Sequence, residues 1–114
     1  MGIINKWDTG QGGIIEIYQC GEHICGKLVQ AKDPAKLDEK NPDASKHNQT
    51  LVGTDILRDF KKTDDHTWED GKIYDPTSGK SYSAKLTLEG DTLKVRGFVG
   101  AALFGKTVEW KTVK

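Results

Sequence analysis

Residues 13–30 carry two runs of alternating apolar and polar side chains on either side of a short polar turn. In the first run Ile15 and Ile17 point one way, with Ile14, Glu16 and Tyr18 opposite. In the second, Ile24, Gly26, Leu28 and Gln30 share a face. A period of two marks a half-buried strand, so the pair predicts a β-hairpin. Cys20 and Cys25 sit at the shoulders of its turn. A short disulfide there would hold the register, since a one-residue slip would turn each strand inside out.

The same reading extends along the chain. Residues 3–7 form a first short strand and the glycine-rich stretch 8–13 a turn. Residues 31–49 break the alternation with Pro34, Asn41, Pro42, Asp43 and Asn48. That composition fits a long crossing loop over a barrel mouth, or a short helix over 34–39 begun by Pro34. Leu51, Val52, Ile56, Leu57 and Phe60 supply apolar anchors around Gly53. A strand then begins at 67–68, with a turn or bulge at 69–71. Residues 75–79, Asp-Pro-Thr-Ser-Gly, form a strong turn. Residues 80–88 and 92–99 answer each other across a loop at 89–91. Residues 100–105 are an apolar cap or lid, and 106–113 a last strand aligning Val108, Trp110 and Thr112.

The result is about eight short strands joined mostly by hairpins, with no helix long enough to cover a sheet. Each strand has one wet face, so the sheet must fold onto itself, and closure removes its unpaired edges. The predicted fold is all-β: an eight-stranded antiparallel up-and-down β-barrel, preferred to a sandwich, with one domain over residues 1–114. Such a barrel has room for side chains or one small ligand.

Composition narrows the partners. Seventeen basic residues balance seventeen acidic ones, so no global field draws in nucleic acid. No apolar stretch is long enough for a membrane span. The cysteine pair argues for an oxidising compartment, and the expected location is periplasmic or secreted, with the signal peptide absent from this chain. Two reduced thiols in a cytosolic protein is the competing reading.

Few groups offer chemistry. His23, His47 and His66 lie in turns or loops without a ligand motif, and the cysteines lack further zinc partners, so no metal or cofactor is expected. Ser81 and Ser83 have no nucleophile elbow. Asp43 and Asp75 neighbour prolines and read as turn caps. Glu16 facing inward beside Arg96 or Tyr74 would be the arrangement an enzyme requires; Glu16 facing water is the simpler reading, and no catalysis is expected.

The segments IEIYQCGEHICGKLV, NPD at 41–43, GKIYDPTSGKSYSAKLTL, and LKVRGFVG with LFGKTVEW resemble a bacterial family of exported domains of unknown function, DUF2147. The resemblance covers nearly the whole chain. That family is similar to the calycin superfamily, which includes the lipocalins, and the likeness implies a calycin/lipocalin-like barrel, a secreted protein and no established reaction. Calycins often open with Gly-x-Trp, the indole packed under a late-strand cation. Here Asn5-Lys6-Trp7 lacks the glycine, and Arg96 or Lys111 would supply the cation.

The expected function is that of an exported, non-enzymatic binding protein carrying a small apolar or amphipathic molecule. The contact pool is Tyr18, Tyr74, Tyr82, Phe98, Phe104 and Trp110, with Arg96 pairing an acidic head group if it points inward. The alternative is a filled barrel acting as a structural or protein-interaction module of the cell envelope, with an envelope or extracellular protein as partner.

Overall fold

Alternation does close the sheet. In the computed structural model, which describes residues 2–98 and 106–113, eight strands follow in order: β1 (Lys6–Asp8), β2 (Ile14–Cys20), β3 (His23–Gln30), β4 (Asp55–Asp64), β5 (Thr67–Asp75), β6 (Lys80–Glu89), β7 (Thr92–Phe98) and β8 (Lys106–Thr112). Each pairs antiparallel with the next, and β8 returns to β1 to complete a closed barrel. The hairpin of β2 and β3 has Ile17 opposite Gly26 and Tyr18 opposite Cys25, and Cys20 and Cys25 are joined in a disulfide with Cα atoms 5.8 Å apart.

The two ends of the barrel differ. At one end the β2–β3, β4–β5 and β6–β7 turns are tight. There the N-terminal segment lays Ile3 into the core, and the fully buried Trp7 donates its Nε1 hydrogen to the Ile3 carbonyl at 3.0 Å. Phe60 and Trp68 are also buried, and Gly71 exists where a side chain would collide with Phe60: an added Cβ would lie 2.6 Å from its Cδ1. The opposite end carries the longer connections, including residues 31–54 between β3 and β4.

Local irregularities explain where simple alternation fails. The β3–β4 register slips between Ile24 and Gly26 and again between Gly26 and Lys27, so Ile56 and Leu57 are both buried. A slip between Trp68 and Gly71 marks the expected bulge in β5, with Asp70 at φ 64°. The first strand is shorter than the expected 3–7, because residues before Lys6 leave the sheet to plug the barrel end. No helix forms over 34–39. The Asp33 carboxylate accepts from the Ala35 amide and makes a turn there instead. The one helical turn in this stretch is a 3-10 turn at Ala44–Lys46, capped by Asp43 through the Ser45 amide. The apolar cap expected at 100–105 lies outside the described residues.

The long connection is strapped to the barrel wall. Leu51 is buried against the core, and Leu37 and Thr50 form an isolated bridge. Asp38, only 2% exposed, accepts from the Tyr74 hydroxyl at 2.6 Å and from the Asn41 side-chain amide at 2.8 Å. A buried carboxylate is costly unless hydrogen-bonded, and these two donors meet that need.

Candidate functional site

Among the described residues, the core does not fill the barrel to the end that carries the longer connections. A cavity of about 500 Å³ opens there. Its walls are apolar: Ile15, Leu28, Ile73, Tyr82, Val95 and Trp110 line it. Parity puts them inside, because Ile15 and Ile17, Leu93 and Val95, and Tyr82 and Ala84 sit two apart on their strands. Val108, opposite Val95 on β8, is 37% exposed and offers oily surface to the opening. Among the described residues Gly97 leaves space, for the nearest atom that a Cβ there would meet is Ile73 Cγ2, at 3.9 Å.

Polar groups gather at the rim. Thr9, Gln11, Lys32 and Asp75 line it. Burial by itself would raise the Asp75 pKa, but hydrogen bonds from Thr77 and Ser78 outweigh it and hold the carboxyl below its usual value. Those bonds (Thr77 Oγ1 at 2.6 Å, the Thr77 amide at 3.0 Å and Ser78 Oγ at 3.0 Å) commit Asp75 to the β5–β6 turn.

Of the contact pool, Tyr74, Tyr82 and Trp110 come together on this cavity. The Tyr74 hydroxyl turns to Asp38, and its pKa is pushed up to about 12 by burial and by that bond to a carboxylate. Tyr18 lies on the outer wall. Its hydroxyl donates to Asp55 at 2.7 Å and Lys27 Nζ lies 5.3 Å from its ring centroid. The bond to Asp55 is the main reason its pKa rises to about 12, with burial second. Arg96, one residue out of phase with Val95 and Gly97, also faces outward; it donates to Thr107 at 3.2 Å and lies 5.6 Å from the centroid of Phe98. An inward pairing of Arg96 with a head group is therefore not the arrangement found. Phe104 lies outside the described residues. Lys111 donates to Thr92 on the outer wall, while Trp7 is wholly inside.

The acid–base set an enzyme would require does not converge. Glu16 stands between Lys6 and Lys27 in the outer rows of β1–β3, whereas Arg96 is on β7. Among the described residues, the potential metal-ligating group is Cys20, Cys25 and Asp59. Its two sulfurs are bonded to each other and so present no thiolates. A second depression, of about 540 Å³, lies at the tight end among Ile4, Lys62, Asp65 and His66. Ile3, Ile24, Trp68 and Leu88, all buried, stand between it and the barrel interior. Sequence reading missed Asp38 and Lys32, because single charged residues in a polar connection carry no periodic signal.

Comparison with known proteins agrees with this geometry. The profile of a family described as "Uncharacterized protein conserved in bacteria (DUF2147)" matches residues 5–112. Among solved structures, the chain is similar to the protein described as "Protein HP1028 from the human pathogen Helicobacter pylori belongs to the lipocalin family", with a TM-score of 0.91 at 20% identity. The alignment covers 100% of this chain and 84% of the other. At that identity the likeness shows a shared barrel fold. Comparison with curated proteins returns no match.

Proposed function

The chain belongs to the DUF2147 family, and from that premise and its lipocalin-type barrel we propose that it is an exported, non-catalytic binding protein that holds a small apolar or amphipathic molecule in the open end. The observation that carries this reading is the asymmetry of packing. One end is sealed by Ile3, Trp7, Phe60 and Trp68, while the other keeps about 500 Å³ lined by Ile73, Tyr82, Val95, Val108 and Trp110. Tyr82 and Trp110 supply flat apolar surface, and rim groups such as Gln11 and Lys32 meet a polar end of the molecule. The Cys20–Cys25 disulfide supports an oxidising compartment, periplasmic or extracellular. A fully filled barrel acting only through its outer face fits the open end less well.

The test uses a fluorescent apolar probe titrated into the protein, with a change in tryptophan emission that Trp110→Phe abolishes as a second readout. Binding is expected to saturate at one site. Gly97→Leu, which projects a side chain into the space that the described residues leave beside Ile73, should weaken binding at least tenfold while leaving the fold intact by circular dichroism. Equal binding by wild type and G97L, or no binding across a panel of aliphatic and aromatic probes, would sink the proposal.

A further inference from the structure

The outer wall of the barrel obeys a charge rule on one side and breaks it on the other. Across β1–β4 the facing residues alternate in sign: Lys6 opposite Glu16, Glu16 opposite Lys27, Lys27 opposite Asp55. Elsewhere Lys61 faces Glu69, Asp75 faces Lys80, Lys94 faces Glu109 and Asp8 faces Lys111. Two charged pairs among the described residues differ. Arg58 faces Lys72, and Lys85 faces Arg96. Like charges directly opposite each other destabilise a sheet, so each pair is a local cost that groups in neighbouring rows must offset.

The two exceptions are neighbours. Lys72 faces Ser83, and Ser83 faces Phe98. One row therefore reads Arg58, Lys72, Ser83, Phe98 across β4–β7, with strands about 4.8 Å apart. Lys85 and Arg96 form the adjacent row, about 7 Å along the strands. Hydroxyls are interleaved: Lys72 Nζ donates to Ser83 at 2.8 Å and Arg96 to Thr107. Carboxylates enter at both margins: from the β5 bulge Glu69 comes within 3.9 Å of Lys85, with Asp70 its neighbour, and on the other side Asp38 and Asp55 line the depression that Arg58 also lines. Four cations still share one wall of a chain whose net charge is zero.

We propose that this wall is a docking surface for the anionic headgroups of a phospholipid bilayer. Charge complementarity identifies the occupant's sign, and position favours a membrane over a soluble polyanion. Ile73, Tyr82 and Gly97, each one residue from the row Lys72, Ser83 and Phe98, line the open end of the barrel. Docking therefore brings the opening to the bilayer, where apolar molecules are dissolved. Phe98, half-buried beneath Arg96, adds an apolar ring that can enter the headgroup–acyl boundary beside the cations. Value as a place to collect cargo rests on the cavity reading; the docking itself does not.

Sedimentation with vesicles tests it, comparing phosphatidylcholine alone with phosphatidylcholine plus phosphatidylglycerol. Wild type should bind the anionic vesicles at low salt and be released at high salt. Each cation near the surface contributes about fivefold, so Arg58→Gln with Lys72→Gln should weaken binding about 25-fold. The same double variant should melt no lower than wild type, since it relieves a repulsive pair. Lys6→Gln with Lys27→Gln, on the alternating wall, should bind vesicles as wild type does. G97L should lose the apolar probe yet keep vesicle binding, which separates failure of the cavity reading from failure of docking. Equal binding to neutral vesicles, equal loss in both double variants, or binding of soluble polyphosphate without vesicles would overturn the proposal.

Discussion

Gly71→Ala and Phe60→Ala should each damage the barrel, yet together do less harm than their sum. Phe60 is fully buried and its ring occupies the space that a Cβ on Gly71 would enter, 2.6 Å from Cδ1. Ordinary carbon contacts fall near 3.5–4.0 Å, so in G71A the ring must move by about 1 Å within a packed interior. Overpacking of that kind costs about 1–3 kcal/mol. Phe60→Ala leaves a void and costs about 3–5 kcal/mol. In the double variant the ring is gone, the clash vanishes and the new methyl fills part of the void. The double variant should therefore fall short of the summed losses by about 1–3 kcal/mol, the size of the relieved clash and within the range found for contacting residues. For a domain of this size each kcal/mol moves the melting temperature by about 4 °C. Urea titration followed by tryptophan fluorescence supplies the four midpoints. Additivity within about 0.5 kcal/mol would show that Gly71 and Phe60 do not share that space.

Other outcomes are open to direct measurement. Tyr18 and Tyr74 have folded pKa values of about 12 against 10.0 for the free side chain. Their contribution is thus full below pH 10 and lost as pH rises toward 12. Urea midpoints should fall across that window, and less in Tyr74→Phe; an unchanged profile in Y74F would count against the Asp38 contact. Tyr74→Phe should also cost about 1–3 kcal/mol at neutral pH, since the buried Asp38 loses a donor, and amide exchange should rise in residues 36–51. Replacing Cys20 and Cys25 together by serine should cost about 2 kcal/mol, because the bridge closes a short loop. Thiol titration of unreduced protein should find no reactive thiol.

The alternating segments carried most of the fold. Leu93, Val95 and Gly97 set the inner face of β7, and the same alternation places Arg96 outside, although its charge drew attention to the interior. Slips in register were harder to read. Ile56, Leu57 and Phe60 look like a mixed segment because two slips against β3 put neighbours on one side. The strap was legible as a crossing connection over 31–49, although it runs on to residue 54 before β4 begins; its anchor was not. Asp38 differs from Asp33 or Asp43 only in meeting Tyr74, 36 positions away. A chain of polar residues does not announce which one a distant tyrosine will meet. The open cavity was equally hidden, since the same inward side chains describe a filled interior until their packing is seen.

Closure depends on a brief stitch. β1 has three residues and meets β8 through Trp7 opposite Thr112 and Asp8 opposite Lys111, reinforced by the Val113 amide bonded to the Lys6 carbonyl at 3.1 Å. A cylinder parts first where the fewest threads cross, so breathing of this one should begin along that line and expose the indole of Trp7. Deuterium should enter the amides of residues 6–8 and 111–113 ahead of those in β5 and β6, and a molecule too wide for the rim would have a second way in at the side.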